Sequence, residues 1–494
     1  MNSVAEVLVR QAEERPGHVA IRDEYRSCTY EQLLQEAFRI GRAAQEAGLH
    51  PGEPAGILFP NGADFVAAYF GILAAGGVAV PLNAEYRRNE VLHFIRSCGL
   101  RMILTSRFHE ERCREFAPLI QEVGLRCPIL FVEKLRESAA GLPGVVPVPP
   151  GQPIMFQFSS GSTGVPKRIA RTHGQLLWEL ETLRSTLVFS PEDRFLGVAP
   201  FSHVNGLVRT MLSAIYAGAT LYPLAGFDRR KVAELIERER LSVFIAVPFM
   251  FCILADSRFA SPPDFSSLRW CVSASAPMPV GANRRFRERF GRYVRQLYGS
   301  TETGSISVNL DPDPADSLAS VGTPLPGIRV AVQDEQGRPL GPGEEGELVV
   351  RSPGAITGYL DLPEANREAF RDGVFLTGDV GKMDPKGRIY LLGRKKFFIN
   401  KGGYKINPQE IEDLLAGHPA VREVAVVGLP TAFDDEKIKA VVVAESPVSP
   451  EDLIAFCRGK IADFKIPSLF EFREELPRSP TGKIRKKLLL ESEG

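Results

Sequence analysis

Patterns typical of helices alternate with patterns typical of short buried strands along most of this 494-residue chain, and no other feature restricts its fold as strongly. Residues 30–47 carry apolar side chains at helical spacing, and after the breaker Pro51-Gly52 an apolar run at residues 55–59 is typical of a strand. The same order recurs at residues 231–247 and 282–298. Repeated helix–strand pairs predict an α/β fold in which a mostly parallel sheet is covered by helices on both faces.

The pattern changes between about residue 322 and residue 393. Short strand patterns separated by glycine, proline and aspartate occur here, at residues 347–351, 373–377 and 388–392. They predict an antiparallel or barrel-like portion. The basic run Arg394-Lys395-Lys396 follows. The remaining chain combines a helix pattern with two strand patterns, at residues 408–415, 421–427 and 440–444. We therefore place a domain boundary near Arg394.

Charge and hydropathy restrict the possible functions. The 60 Lys and Arg balance 60 Asp and Glu, so the chain lacks the positive field of a broad nucleic-acid or anionic-membrane surface. The apolar run at residues 66–82 is shorter than the ~20 residues of a membrane span and contains glycine and proline, so we predict a buried helix followed by a buried strand. Charged residues near the N-terminus argue against a signal peptide. The seven scattered cysteines form no CxxC pair, which fits a reducing compartment. We expect a cytoplasmic protein with no membrane span and no nucleic-acid partner.

The clearest local motif is the segment SSGSTGVPK at residues 159–167, which follows an apolar strand pattern at residues 154–158. Its glycines allow backbone N–H groups to approach an anion, its hydroxyls add donors, and Lys167 adds positive charge. This composition is typical of a phosphate-binding loop, although the spacing differs from the Walker A motif. The alternative is a flexible Gly/Ser surface turn.

Three further segments could carry chemistry. Residues 298–304 supply an aromatic ring for a base and the carboxylate of Glu302 for a hard cation, or form only a turn with a helix N-cap. Asp379 could accept hydrogen bonds from both hydroxyls of a ribose, or only close a turn. Residues 477–487 are basic, and a turn at Thr481-Gly482 would present Lys483 apart from the charges that follow. A solvated basic tail is the alternative for this last segment.

Taken in order, these segments resemble the motifs of the adenylate-forming superfamily, which includes acyl- and aryl-CoA synthetases, adenylation domains of peptide synthetases and beetle luciferases. The resemblance spans residues 29–483. It is carried by nine motifs in register: SSGSTGVPK (159–167), APFSH (199–203), VSASAP (272–277), YGSTETG (298–304), GEL (346–348), GYL (358–360), TGD (377–379), GRKKFFINKGGYKINPQEIE (393–412) and PRSPTGK (477–483).

The resemblance implies an enzyme that joins a carboxylic acid to ATP, releases pyrophosphate and then passes the acyl group to coenzyme A. It also implies a domain organisation. A large N-terminal domain, residues 1–393, would consist of stacked α/β layers (1–320) and a β-rich, barrel-like portion (321–393). A hinge at residues 394–396 would connect it to a small mobile α+β C-terminal domain, the lid, at residues 397–494.

For the nucleotide, the resemblance implies a phosphate loop at residues 159–167, a ribose held by Asp379 and Arg394, and an adenine between the backbone of residues 275–277 and the ring of Tyr298. Glu302 would bind Mg²⁺, with Thr163 helping to place the metal. The residues implied to bind ATP or coenzyme A are Ser159, Ser160, Gly161, Ser162, Thr163, Gly164, Lys167, Ser275, Ala276, Pro277, Tyr298, Gly299, Ser300, Thr301, Asp379, Arg394, Lys396, Gly402 and Gly403.

Lys483 is implied to be the main catalytic residue, because it would reach from the lid to bridge the acid carboxylate and the α-phosphate as charge develops. Glu302 and His203 complete the implied catalytic set. Lys396 matches the family hinge, about which the lid would rotate between an adenylating and a thiol-transfer pose. In the second pose Gly402-Gly403 would line the tunnel for the thiol, where glycine permits a close backbone approach.

The acid pocket is implied to be lined by His203, Val204, Asn205 and Arg209. His203 could instead be a packed structural ring. If the segment after His203 is helical, Arg209 could face the pocket, where a buried arginine would need a carboxylate or a polar acid tail as its partner. Alternatively, Arg209 is a surface residue at the mouth of the pocket.

The motifs leave several functions open. The leading hypothesis is an AMP-forming acyl- or aryl-CoA synthetase, and the second is a stand-alone enzyme that loads the phosphopantetheine of a carrier protein. A luciferase-like monooxygenase would carry the same motifs. A catalytically silent nucleotide-binding module is disfavoured because Glu302, Asp379 and Lys483 are retained. Medium-chain fatty, aryl and small dicarboxylic acids all remain candidate substrates.

Overall fold

Two sheets of parallel strands form the larger part of the protein. The computed structural model describes residues 2–86, 88–107, 118, 127–136, 141–149, 151–159, 167–401, 404–431, 436–479 and 482–490. The first sheet has six strands, in the order Ile129–Phe131, Met102–Thr105, Pro54–Leu58, Val78–Leu82, Pro153–Ser159 and Lys167–Thr172. All neighbours are parallel except the last pair, in which Ser159 is opposite Lys167. The phosphate-loop motif therefore connects two adjacent antiparallel strands.

The second sheet has nine strands. Their order is Thr323–Pro324, Gly304–Val308, Arg295–Ser300, Trp270–Ala274, Val243–Ala246, Arg194–Gly197, Thr220–Pro223, Val19–Arg22 and Ser27–Thr29. The six central strands are parallel, and antiparallel strands lie at both edges. Because Ala274 pairs with Leu297, the segments after these two strands leave the sheet side by side. In parallel sheets, ligands bind outside such carboxyl ends.

Helices cover the two sheets and lie between them. Their bounds are Ala5–Glu14, Tyr30–Glu46, Ala63–Ala74, Arg88–Cys98, Val132–Arg136, His173–Leu187, Ser213–Ala217, Arg229–Glu239, Pro248–Asp256 and Val280–Phe290, with a π-helix at Asn205–Leu212 and a 3-10 turn at Ala315–Ser317. Capping boxes formed by Thr29 with Gln32 and by Thr172 with Gln175 explain why two of the longest helices begin where they do.

The predicted buried helix and strand at residues 66–82 are confirmed as Ala63–Ala74 and Val78–Leu82. Every residue of this helix except Asp64 is buried, and it packs on the helix Tyr30–Glu46. A Cβ atom on Gly71 would lie 2.7 Å from the carbonyl oxygen of Ala37, so glycine is what allows the two backbones to approach. One continuous apolar core includes side chains from both sheets and both helices. Among the described residues, no helix combines the length and apolar character needed to cross a membrane.

The β-rich portion forms an antiparallel sheet of five strands. They are Arg329–Gln333, Gly346–Arg351, Val374–Met383, Phe370–Arg371 and Ile389–Arg394, and the short helix Pro363–Ala369 lies beside them. Within this sheet Asp379 is directly opposite Arg394. The three strand patterns predicted for this region are confirmed, with bounds that differ by a few residues.

The C-terminal part combines two small sheets with short helices. A hairpin pairs Ile399–Lys401 with Tyr404–Ile406, and a three-stranded sheet contains Val421–Pro430, Glu436–Ala444 and Leu469–Phe472. The helices are Pro408–Leu415 and Pro450–Cys457, with 3-10 turns at Lys395–Phe397, Asp463–Lys465 and Lys486–Leu489. The predicted helix at residues 408–415 is confirmed, and this part has apolar cores of its own. The α/β fold class is therefore confirmed.

Candidate active site

A tight turn near the end of the chain carries Lys483. The backbone N–H of Gly482 donates to the carbonyl oxygen of Ser479 at 2.8 Å, and the N–H of Ser479 donates to the carbonyl oxygen of Lys483 at 2.8 Å. Arg478 donates to the carbonyl oxygen of Gly482 at 2.8 Å and to Glu423 at 2.7 Å. These bonds connect the turn to the three-stranded C-terminal sheet.

The turn is seated against the N-terminal part of the protein. A Cβ atom on Gly482 would lie 2.4 Å from the ring of Phe249, so the backbone of Gly482 is in direct contact with that ring. The guanidinium of Arg478 lies 5.9 Å from the centroid of the same ring. Phe249 belongs to the helix Pro248–Asp256, which follows one of the central parallel strands. The C-terminal part thus delivers Lys483 to the carboxyl ends of the second sheet.

The ammonium group of Lys483 shares this cleft with four other charged groups. Burial among protein atoms lowers its pKa, and the positive charges of Arg394 and Arg209 lower it further, whereas Asp379 and Glu302 oppose the shift. The side chain of Lys483 is nevertheless exposed to solvent, so the cleft is open to water. A lysine from the C-terminal part thus lies within electrostatic range of the carboxylates that the motifs assign to the nucleotide.

Asp379 is the centre of a hydrogen-bonded triad. The hydroxyl of Tyr298 donates to one carboxylate oxygen at 2.7 Å, and Arg394 Nε pairs with the other at 2.6 Å. Burial by itself would lower the pKa of Arg394, but the charge of Asp379 raises it above its ordinary value. The pKa of Tyr298 is raised by burial and by the same carboxylate, so its hydroxyl remains protonated. The triad joins the parallel sheet to the antiparallel sheet at the cleft.

Glu302 lies at the end of the strand Arg295–Ser300 and is mostly buried. Among the described residues, its carboxylate accepts one hydrogen bond, at 3.0 Å from the hydroxyl of Tyr359. The ammonium of Lys167 lies 4.5 Å from the centroid of the Tyr359 ring. One oxygen of Glu302 therefore stays available to a cation beside the phosphate-loop lysine. This donor chemistry fits Mg²⁺, which prefers carboxylate oxygens and keeps several waters.

The segment after Ala274 forms the other wall expected for the adenine. Ser275 has a positive φ of 78°, which is unfavourable for a non-glycine residue and turns the chain sharply at the end of the strand. Ala276 and Pro277 are exposed, and Tyr298 lies on the neighbouring strand. Gly299, Ser300 and Thr301 continue from Tyr298 toward Glu302, as their order in the motif requires.

Several predicted site residues cannot be compared with the structure. Ser160, Gly161, Ser162, Thr163, Gly164, Gly402 and Gly403 lie outside the described residues. Only the backbone is described for Ser159, which ends its strand, and for Lys396, which lies in the turn Lys395–Phe397. The phosphate contacts, the Thr163 metal contact, the hinge and the thiol tunnel therefore stay predictions.

The four residues assigned to the acid pocket lie on or just before one π-helix. His203 precedes the π-helix Asn205–Leu212, and π-helical turns occur frequently at functional sites. Burial, and then the charge of Lys483, lowers the pKa of His203 to about 4, so the ring is neutral at physiological pH. Its Nε2 atom and the Oδ1 atom of Asn205 are buried, and neither has a hydrogen-bond partner among the described residues. Val204 is half-buried between them.

Arg209 is fully buried, with an exposed fraction of 1%, so the interpretation of it as a surface residue is wrong. The π-helix turns its side chain toward the strand Gly304–Val308, where its Nε donates to the hydroxyl of Ser305 at 3.0 Å. Burial lowers the pKa of Arg209 to about 10, with Glu179 opposing the shift, and the guanidinium therefore stays charged.

Sequence reasoning did not identify several residues that support the site. These are Tyr359, Phe249, Glu179, Arg171 and Ser305. Tyr359 stands in the GYL motif and could have been selected there, because its hydroxyl and ring are the only distinctive chemistry in that motif. The other four gave no signal of their own, since their roles depend on contacts between segments far apart in the chain.

Comparison with known proteins agrees with this geometry. A family described as AMP-binding enzyme matches residues 8–360, and one described as AMP-binding enzyme C-terminal domain matches residues 410–483. The chain belongs to this family. The resemblance to adenylate-forming enzymes is thereby confirmed, and this AMP-binding enzyme is a member of the AMP-forming acid–CoA ligase family.

Curated relatives of this AMP-binding enzyme match it over nearly their whole length. A feruloyl-CoA synthase of Amycolatopsis sp is 32% identical over 97% of this chain and 96% of its own. A sulfoacetate–CoA ligase of Cupriavidus necator is 32% identical, covering 95% and 93%. A fatty acid–[acyl-carrier-protein] ligase, ScoC of Streptomyces coeruleorubidus, is 32% identical, covering 97% and 94%. These names differ in both acid and thiol, so similarity alone does not select a substrate.

Among solved structures, ATP-bound MatB from Rhodopseudomonas palustris aligns with this AMP-binding enzyme at a TM-score of 0.90, with 27% identity over 98% of each chain. The apo form of the same protein aligns at 0.79 with the same identity and coverage. The arrangement of this chain is therefore more similar to the ATP-bound form than to the apo form.

Proposed function

We propose that this enzyme activates a carboxylic acid with ATP to an acyl-adenylate and then transfers the acyl group to the thiol of coenzyme A. The observation that carries the proposal is the position of Lys483. It comes from the C-terminal part of the chain, yet the adjacent Gly482 contacts Phe249 of the N-terminal part, and its ammonium lies within electrostatic range of Glu302, Asp379 and Arg394. The greater similarity to the ATP-bound form of MatB supports an arrangement competent for adenylation.

The nucleotide would bind along the wall that Asp379, Tyr298 and residues 275–277 form. The carboxylate of Asp379 is positioned by Arg394 and Tyr298, and a carboxylate so held suits the two hydroxyls of a ribose. Lys167 and the segment before it would bind the β- and γ-phosphates. Glu302 would hold Mg²⁺, together with Thr163, and the bound ion would neutralise charge on the phosphate oxygens.

In the first step, a carboxylate oxygen of the acid attacks the α-phosphorus, and the bond from that phosphorus to the bridging oxygen of pyrophosphate breaks. Both reacting groups are anions, so the site must offset their repulsion without removing the nucleophile. The Lys483 ammonium would bridge the carboxylate and the α-phosphate as charge develops. His203 is neutral at physiological pH, so its Nε2 atom, which has no hydrogen-bond partner among the described residues, could contact the acid without adding a competing charge.

In the second step, the thiol sulfur attacks the acyl carbonyl carbon, the thiol proton is lost, and AMP leaves with the former carboxylate oxygen. Lys483 occupies the cleft in the present arrangement, so the thiol would need the lid to rotate about residues 394–396 and withdraw it. Gly402-Gly403 would then face the acyl-adenylate.

A carrier-protein phosphopantetheine is the second candidate for the thiol, because ScoC, by its name, uses an acyl carrier protein. Both acceptors end in the same pantetheine thiol, so only a direct comparison separates them. We expect thioester formation with free coenzyme A. Faster thioester formation with a holo-carrier protein than with coenzyme A would contradict this choice while leaving adenylation unaffected.

We predict that Lys483→Ala loses roughly 10²–10³-fold or more in adenylation, because a preorganised donor to the developing charge is removed. ATP binding should change little, since the other proposed nucleotide contacts come from the N-terminal part. Acid-dependent exchange of pyrophosphate into ATP measures adenylation, and nucleotide titration measures binding.

Lys487→Ala is the matched control, because Lys487 is an exposed lysine of the same segment. It should retain the exchange rate of the unmodified enzyme. An exchange rate for Lys483→Ala within a few-fold of that rate would remove the catalytic role from Lys483.

A further inference from the structure

Arg209 is a buried cation with an unsatisfied donor. Its Nε is bonded to Ser305, but its Nη2 atom is buried and has no hydrogen-bond partner in the part of the chain that the structure describes. A Cβ atom on Gly299 would lie 2.4 Å from Nη2, so this nitrogen lies against the backbone of the strand that leads to Glu302. The guanidinium therefore lies next to the motif that lines the cleft.

The charges around Arg209 do not balance. Glu179 is buried and pairs with Arg171 at 2.9 Å, while its other oxygen accepts bonds from the N–H and the hydroxyl of Ser305, each at 2.8 Å. Both arginines act on this one carboxylate, and together they lower its pKa although burial opposes the shift. No described acidic side chain lies within ion-pairing distance of Arg209. The cluster of Arg171, Arg209 and Glu179 thus holds two positive charges and one negative charge without solvent.

A buried guanidinium without a counter-ion is destabilising, because desolvation is not compensated by pairing. Arg171 adds to the imbalance, since its Nε and Nη1 atoms also lack partners among the described residues. An anion bound at the Nη2 atom of Arg209 would supply the missing counter-charge. A planar guanidinium suits a carboxylate or a sulfonate in particular, because it donates two parallel hydrogen bonds to such groups.

The unpaired Nη2 atom of Arg209 lies beside Gly299, which belongs to the same motif as Glu302. Arg209 stands six positions after His203 in the chain. Asn205 lies on the same π-helix as Arg209, and its buried Oδ1 atom has no hydrogen-bond partner among the described residues. Arg209 is also close enough to Lys483 to influence its charge. An acid bound between these residues would have one end at Lys483 and the other within reach of Arg209.

We propose that Arg209 determines substrate specificity by binding a second anionic group, a distal carboxylate or sulfonate, on the acid that the enzyme activates. This inference rests on the proposed function, because it assumes that the first carboxylate of the same molecule reacts with ATP near Lys483. The neutral ring of His203 and the amide of Asn205 would contact the short segment between the two anionic groups.

The test compares short dicarboxylic acids with the monocarboxylic acids of the same chain length, using kcat/KM for ATP-dependent pyrophosphate release. We expect the unmodified enzyme to prefer the diacid of the best pair by roughly 10²-fold or more, because a monoacid leaves the buried cation unpaired. Arg209→Met should lose activity with the diacid by a similar factor and keep or gain activity with the monoacid. Arg209→Lys keeps the charge but not the paired donors, so its preference for the diacid should lie between those of the unmodified enzyme and Arg209→Met.

Two controls separate specificity from folding. Arg285→Met removes one positive charge from an exposed ion pair with Asp256, and should leave the diacid preference unchanged. Thermal unfolding with and without a diacid should show stabilisation of the unmodified enzyme that Arg209→Met loses, whatever the activity of the variant.

The outcomes distinguish the two proposals. If monoacids are preferred, or if Arg209→Met lowers both acids of a pair equally, the specificity role is wrong and the adenylating function stands. If no acid of either kind supports pyrophosphate release from ATP, the proposed function fails and this inference fails with it.

Discussion

His173 is a buried titratable side chain whose ring nitrogen accepts a backbone hydrogen bond. His173 begins the helix that follows the phosphate-loop strands, and its ring is almost completely buried. Its Nδ1 atom accepts a hydrogen bond at 3.0 Å from the backbone N–H of Val4, so the folded protein requires the neutral ring. Burial lowers the pKa of His173 to about 4 from an ordinary value of 6.5.

We predict that acid weakens folding through His173. Below pH 6.5 His173 binds a proton in the unfolded chain, whereas in the folded protein it stays neutral until about pH 4. The contribution of His173 to the free energy of unfolding is therefore fully present above pH 6.5 and is lost as the pH falls from 6.5 to about 4. The loss from this group is about 3 kcal/mol at most. His173→Asn keeps an acceptor for Val4 but cannot titrate, so its free energy of unfolding should fall less between pH 7 and pH 4. If denaturant titrations show that the unmodified protein and His173→Asn lose the same free energy of unfolding between pH 7 and pH 4, this role of His173 is wrong. His50→Asn, which changes an exposed ring, is the control and should behave like the unmodified protein.

At the scale of elements, the turn before Lys483 is the feature on which adenylation depends. Gly482 has a φ of +77° and lies against the ring of Phe249, so it meets two requirements at once, a left-handed backbone and a close approach. Arg478 holds the same turn to the C-terminal sheet through Gly482 and Glu423. The turn is thus positioned from both sides of the cleft.

We predict that Gly482→Ala lowers adenylation by at least roughly tenfold, because its new methyl group would displace the turn from Phe249 and move Lys483 away from the reacting groups. Thioester formation from a supplied acyl-adenylate should be affected much less, since Lys483 acts in the first step. Gly459→Ala is the matched control: it has a φ of +72°, but no atom lies within 4 Å of the new methyl group. If both variants lose adenylation to the same extent, backbone strain and not the Phe249 contact is the cause.

For the whole molecule, the two steps of the proposed reaction need two positions of the C-terminal part. The chain passes between the parts in a short turn, Lys395–Phe397, after the strand that carries Arg394. The amide of Asn407 donates to the carbonyl oxygen of Leu392 at 2.5 Å, so a bond crosses this connection in the present arrangement. Rotation would have to exchange such contacts for others.

We predict that Lys396→Pro leaves adenylation largely intact and abolishes thioester formation, because proline fixes φ and removes a backbone donor at the point of rotation. Lys396→Ala removes the same side chain without restricting the backbone, and should retain both steps. Pyrophosphate exchange and thioester formation, measured separately, test this. A proportional loss of both steps in Lys396→Pro would place the hinge elsewhere.

Most of the fold followed from local patterns. The helix Tyr30–Glu46 and the helix Pro408–Leu415 were predictable because apolar spacing and capping residues act within a few residues of one another. Motif order was sufficient for the family, and it also selected Lys483, Asp379 and Glu302. Their positions in one cleft agree with that selection, although their roles stay proposals.

What the sequence by itself determined is the set of elements, the family and the chemistry of the motifs, since these depend on residue types and spacings along the chain. Only the tertiary structure decided that Arg209 is buried and that it shares Glu179 with Arg171. Likewise, only the folded chain brings the ring of Phe249 under Gly482. Burial and charge balance arise from segments far apart in the chain that meet only on folding, so no local pattern contains them.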